Sequence, residues 1–187
     1  MKKRFHTAAS MSPGVQRTGN GFTLVELLVT IAIAALLMVV AVPAFVSFKQ
    51  NSQLSDAVSN FIAGANAARA NAMKQGTNTY LIPNSATGWR SGWMVFTDIN
   101  WNQTYDANAD PVISTYEAPD SSIAISIPTT SSFSSGYLLF NGAGYPRLKN
   151  GGFGGGTLVM SNATRSSSII IDPAGRIRSC TTGSTGC

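Results

Sequence analysis

The sequence predicts an α+β protein, with one long N-terminal α-helix laid against an antiparallel β-sheet domain. Residues 22–46 read FTLVELLVTIAIAALLMVVAVPAFV, in which only Thr23, Glu26 and Thr30 are polar. Beyond Val46 the apolar positions Leu54, Val58, Phe61, Ile62, Ala65, Ala68 and Ala72 recur at steps of three and four, which marks one helical face. From Thr77 onward the pattern changes to short β-branched and aromatic runs broken by Pro, Gly and Asn, and no second long helix follows. Such a segregation of helix and strands belongs to the α+β class.

The helix is expected from Phe22 to Gln75, about 54 residues and roughly 80 Å long. Its first 25 residues span roughly 37 Å, enough to cross a bilayer core of about 30 Å. Ser47, Lys49, Gln50, Asn51, Asp56 and Asn60 fill the polar side of the second half, and Gly76 is placed as its stop. Gly64, Ala65, Ala67, Ala68, Ala70 and Ala72 are small enough for a sheet to approach closely. No heptad with flanking charges is sustained, which disfavours a coiled coil.

The formal charge of +5 overstates the basicity. Four of the thirteen basic residues, Lys2, Lys3, Arg4 and Arg17, precede Phe22. Without them nine basic residues face eight acidic ones, leaving +1. Nucleic-acid binding must therefore rest on local placement and not on pI. Positive charge before the apolar run leaves the N-terminus in the cytoplasm and the rest outside. A secretory signal would have a shorter apolar core with its small-residue cleavage site after it. Here the small residue, Gly21, stands before the run, so a cut there removes the basic leader and keeps the helix. Glu26 is costly in an apolar helix, by about 2.5–3.5 kcal/mol on insertion scales. It either reaches the headgroups from near the helix end or has a positive partner, such as the amine that cleavage before Phe22 would create.

GFTLVELLVTIAIAALL closely resembles the N-terminus of type IV pilins and type II secretion pseudopilins. The resemblance implies that prepilin peptidase cuts after Gly21 and N-methylates Phe22. It implies that Glu26 serves filament assembly, meeting the N-terminal amine of an adjacent subunit, and that Pro43 is the family's helix-bending proline. A leader of twenty-one residues is long for that family, and Met11 offers an alternative start.

Strands are expected at Tyr80–Ile82, Gly92–Thr97, Pro111–Tyr116 as a hairpin partner, Ser122–Ile127 as a half-buried strand, Tyr137–Phe140, Thr157–Met160 and Ser168–Ile171. GWMVFTDINWNQTYDANADPVI, Phe140–Gly144 and the closing IIIDPAGRIRSC resemble the FimT/FimU and GspH branch of minor pilins and pseudopilins. The expected organisation is a prepilin leader at 1–21, a transmembrane and assembly helix at 22–46, its amphipathic continuation at 47–76, and a periplasmic β-rich domain at 77–187.

Two places invite a ligand. Asp98, Asn100, Asn102, Asp106 and Asp110 begin like a calcium-binding EF-hand loop. Gln103 stands where that loop needs glycine and Ala109 where it needs a bidentate glutamate, so a solvated hairpin turn is expected and no metal. In Gly175-Arg176-Ile177-Arg178, alternation puts Arg176 and Arg178 on one side of an extended segment. With Arg165, Lys149 and Arg147 nearby they would meet successive phosphates. The competing reading is an edge strand with solvated arginines, or salt bridges to Asp172 or another subunit. FimT-like members use G-R-x-R to bind DNA in natural transformation, which implies double-stranded DNA as a partner, whereas a similar tail occurs in motility-associated FimU-like members. Cys180 and Cys187, eight residues from end to end of their loop, read as a disulfide, against a pair of free thiols in the tail.

No enzyme is expected. The one histidine, His6, lies in the leader, which removes the usual general base. Gly151–Gly156 lacks the lysine and context of a phosphate-binding loop. No cofactor is implied. The resemblance implies a minor type IV pilin of the bacterial inner membrane and then of the pilus, with other pilins and prepilin peptidase as partners. The alternative is a GspH-like pseudopilin of type II secretion.

Overall fold

The computed structural model describes residues 21–185 and Cys187. The basic leader before Gly21, with His6 and both candidate starts, lies outside the described residues. Two compact units divide between Val42 and Pro43.

Helix α1 runs Leu24–Gln75, 52 residues, with Pro43 inside it. Its start is set by Thr23, whose carbonyl accepts from Leu27 N–H at 3.2 Å. The side chains from Leu24 to Val46 are exposed throughout, as a helix made to be surrounded by lipid or by other helices would be. At the other end Gly76 adopts φ +68° and its N–H returns to Ala72 O at 2.8 Å. A left-handed residue costs glycine nothing, and this is why the helix stops there.

In the second unit the helix buries Leu54, Ala57, Val58, Phe61, Gly64, Ala65, Ala68 and Ala72. That is the expected face, with two differences: Ile62 and Ala67 are half-buried, and Ala70 is exposed. Gly64 has a packing reason. A Cβ there would meet Tyr116 at 3.1 Å, Leu81 at 3.2 Å and Trp93 at 3.3 Å, so the missing side chain lets the strands come close.

Among the described residues nine strands follow: β1 Thr79–Pro83, β2 Trp93–Thr97, β3 Val112–Tyr116, β4 Ala124–Ser126, β5 Leu138–Phe140, β6 Pro146–Arg147, β7 Gly156–Ser161, β8 Ser166–Ile171 and β9 Ile177–Thr181. They form two antiparallel sheets, ordered β3-β2-β1-β5-β6 and β4-β7-β8-β9. All seven expected strands are present, and β2–β3 is the expected hairpin, with Trp93 opposite Tyr116. The expected Ser122–Ile127 strand shortens to its central three residues. The two additional strands are β6, which is too short to carry a period, and β9, which starts at Ile177 and takes in the last two residues of GRIR.

One apolar core joins the helix to both sheets. Phe61 stands at its centre, edge-on to Trp89 at 5.4 Å, Trp93 at 5.2 Å and Phe133 at 6.1 Å. Leu81, Val95, Leu138 and Phe140 come from the first sheet, and Leu158, Met160, Ile169 and Ile171 from the second. The other face of the first sheet carries a smaller cluster of Tyr80, Phe96 and Leu139, half-covered by Tyr105 and Tyr137. Hence β1 and β2 are apolar at consecutive residues and do not alternate.

Candidate functional site

At the N-terminal end, Gly21 and Phe22 precede the helix and are exposed. Thr23 and Glu26 form a reciprocal cap. Glu26 Oε2 accepts from Thr23 N–H at 3.1 Å and from its hydroxyl at 3.0 Å, while Thr23 Oγ1 accepts from Glu26 N–H at 3.2 Å. This is a capping box, a partner for the carboxylate that the sequence reading did not include. Its signal, Thr-x-x-Glu before an apolar run, is present in the sequence. The carboxylate is thereby held within one residue of Phe22, where cleavage would put an amine.

At the C-terminal end, β8 and β9 are joined by the turn Asp172-Pro173-Ala174-Gly175. Gly175 has φ +81°, and a Cβ on it would meet the Gly144 carbonyl at 2.5 Å and Arg69 Nε at 3.1 Å. Arg69 itself donates from Nε to that Gly144 carbonyl at 3.0 Å. The Phe140–Gly144 and DPAG segments therefore meet at one helical arginine, and Gly175 is needed for this close approach.

Past Gly175 the side chains alternate. Arg176 is exposed, Ile177 packs against the core, and Arg178 is exposed opposite Ile170. β9 is the outer strand of its sheet, so the two arginines share a solvent-facing side at the sheet edge. Arg176 Nε lies 3.1 Å from Asp172 Oδ2, the salt bridge that is the alternative to a phosphate contact. Asp172 also accepts from the backbone N–H groups of Arg176 and Ala174, both at 3.0 Å. Its carboxyl is held below the usual range, first by the Arg176 backbone bond; partial desolvation opposes this and the Arg176 side chain reinforces it.

The cysteines are joined, Cys180 to Cys187, with Cα atoms 5.7 Å apart. The bond ties the tail to β9 two residues beyond Arg178. Replacing both by serine is expected to cost about 2–3 kcal/mol on the chain-entropy account of an eight-residue loop. A lowered thermal midpoint by circular dichroism would show it.

The other expected cations are not gathered beside this pair. Arg165 stands in the β7–β8 turn, one residue before β8, whereas Arg178 pairs near the far end of β8 at Ile170. Five residues of strand set them about 16 Å apart along the sheet. Lys149 belongs to the aromatic cluster of the first sheet: its Nζ lies 5.2 Å from the Tyr137 ring centre and 5.8 Å from that of Tyr80, and it donates to the Gln103 carbonyl. Arg147 lies over Phe153 at 4.8 Å. Linear sequence carries no register, and register is what separated them.

The acidic loop between β2 and β3 uses its oxygens on its own backbone. Asp98, fully buried, accepts from Asn102 N–H at 3.2 Å and Gln103 N–H at 3.0 Å. Asp110 accepts from Ile99 N–H at 3.1 Å and Asp106 N–H at 2.9 Å. Among the described residues no cluster of metal-ligating side chains is formed. The loop is a hairpin turn that is exposed at 99–102 and 107–109, as expected, and is pinned from inside by its two buried carboxylates.

A helix with an exposed apolar first half and a second half buried against antiparallel sheets defines a pilin-like protein. The chain belongs to the family described as type II transport protein GspH, whose model matches residues 57–175. Residues 17–42 match the prokaryotic N-terminal methylation motif. The fold is similar to that of the type IV minor pilin FimU of Pseudomonas aeruginosa, at TM-score 0.55 and 15 % identity, covering 70 % of this chain and 90 % of that one. It is also similar to the minor pseudopilin EpsH from the type 2 secretion system of Vibrio cholerae, at TM-score 0.50 and 8 % identity, covering 71 % and 99 %. At these identities the likeness is one of fold. No curated protein matches the chain. It is therefore a minor pilin or pseudopilin of the type IV pilus and type II secretion class, a subunit that associates with others of its kind.

Proposed function

We propose that this chain is a minor type IV pilin that holds double-stranded DNA at its C-terminal hairpin. On this reading prepilin peptidase removes residues 1–21 and methylates Phe22. The helix over 22–46 holds the protein in the bacterial inner membrane, with residues 77–187 in the periplasm, and later enters the filament. The exposure of every side chain from Leu24 to Val46 supports that use of the helix. The protein has a structural and binding role and is not an enzyme.

The observation that carries the DNA reading is the pair Arg176 and Arg178, one just before and one within an outer strand, exposed on either side of inward-packed Ile177. Guanidinium suits phosphate because its planar donors match two oxygens at once. The same arginines would contribute to twitching motility only through assembly.

Assembly has its own test. Glu26→Ala is expected to leave the protein in the membrane fraction and remove it from sheared pili, at least tenfold by immunoblot. Normal incorporation of the variant would refute the assembly role. The family match and the EpsH-like fold favour a second reading, a GspH-like pseudopilin of type II secretion. A deletion strain separates the two: lost secretion with intact piliation and transformation would select the second.

A further inference from the structure

We propose that the recess between the β7–β8 turn and helix residues 48–55 receives the phosphate of an anionic phospholipid headgroup while the protein is in the bilayer. The proposal rests on the membrane-anchoring reading above.

The turn is bolted to the helix. Asn162 Nδ2 donates to Gln50 O at 2.9 Å and to Asn51 Oδ1 at 3.1 Å, and Thr164 Oγ1 bonds Asn51 Oδ1 at 3.0 Å. Asn162 Oδ1 in turn accepts from Arg165 N–H at 2.7 Å and Thr164 N–H at 3.0 Å. Arg165 is thus presented at a fixed height on the helix, beside Phe48, Asn51, Ser52 and Ser55, around an open recess of about 340 Å³.

That height is the argument. The apolar run ends at Val46, so Phe48 lies roughly 3 Å beyond it, and Gln50 and Asn51, where the turn is fixed, roughly 6–8 Å. A bilayer adds about 5–7 Å of headgroup layer to each side of its hydrocarbon. Phe48, 71 % exposed, would sit at the boundary and Arg165 among the phosphates, its stem along the apolar side chain.

The lining chemistry agrees. Among the described residues no carboxylate lines the recess and Arg165 takes part in no salt bridge. Asn51 commits its carbonyl oxygen to Asn162 and Thr164, which leaves its amide NH2 as a donor. Ser52 adds a hydroxyl. Guanidinium, amide and hydroxyl together make a donor set for an anion. Arg165 is then a membrane contact, separate from the Arg176–Arg178 pair.

The test uses the full-length protein, reconstituted in vesicles of phosphatidylcholine alone or mixed with phosphatidylglycerol. Ala163→Cys carries an environment-sensitive fluorophore, and a quencher sits on the lipid headgroups. Quenching is expected to rise about fivefold with phosphatidylglycerol, the preference one cation gains near an anionic surface. Arg165→Gln should lose this rise and Arg165→Lys should keep part of it. Equal quenching in both vesicles, or an unchanged rise in Arg165→Gln, would overturn the site. So would an Arg165→Gln variant that loses DNA binding and keeps the lipid response. A chain stripped from vesicles by carbonate would overturn the anchoring reading and this site with it; an anchored chain without lipid preference would overturn the site alone.

Discussion

Exchanging Arg176 and Arg178 for glutamine is expected to abolish salt-sensitive binding of double-stranded DNA by the full-length protein. Each phosphate contact contributes about 0.9 to the slope of log affinity against log salt. Two contacts contribute about 1.8, or roughly twelvefold between 50 and 200 mM salt. The double variant should lose that slope as well as the affinity, and electrophoretic shifts across a salt series read both. Retained binding with the wild-type slope would remove the assignment. The Asp172 salt bridge makes a sharper companion. Its carboxylate competes with DNA for Arg176, and in Asp172→Asn the side-chain oxygen can still accept from Ala174 and Arg176 N–H. That variant should keep the turn and bind DNA several-fold more tightly. If Arg176 serves only the turn, Asp172→Asn will not change binding at all.

Phe61→Ala is expected to be the most damaging truncation in the core. Phe61 is fully buried and touches three aromatic rings contributed by the loops and strands around it. Removing a buried phenylalanine side chain costs about 3–5 kcal/mol, part in lost transfer energy and part in the cavity left behind. For a unit of this size that is a fall of roughly 6–20 °C in thermal midpoint. The loss follows from position: Phe61 lies on the helical face where both sheets converge. A loss below about 1 kcal/mol would mean that the core closes around the gap.

The long helix was legible because its signals are local and repeated. Apolar side chains every three or four residues and a glycine stop at Gly76 both act within a turn of the residues they control. Strands with β-branched and aromatic runs, such as Trp93–Thr97 and Ser168–Ile171, were legible for the same reason. β6 was not, because two residues carry no period and are held by pairing with Leu139 and Phe140 and by a bridge to Phe153. The division into two sheets was equally hidden, since it depends on which strands meet across long separations.

The candidate site divides in the same way. Alternation along GRIR placed Arg176 and Arg178 on one side before any fold was known, because the period of a strand is a property of the chain. Which other cations join them is a property of register. Register set Arg165 about 16 Å along β8, beside the helix at Asn51, and the aromatic cluster of the first sheet took Lys149. The sequence by itself determined the anchor, the helix and the exposed arginine pair. Only the tertiary structure decided that Asp172 holds Arg176 and that Arg165 stands beside the end of the apolar helix. Each of those is a contact at a specific distance, and composition and period do not encode distance.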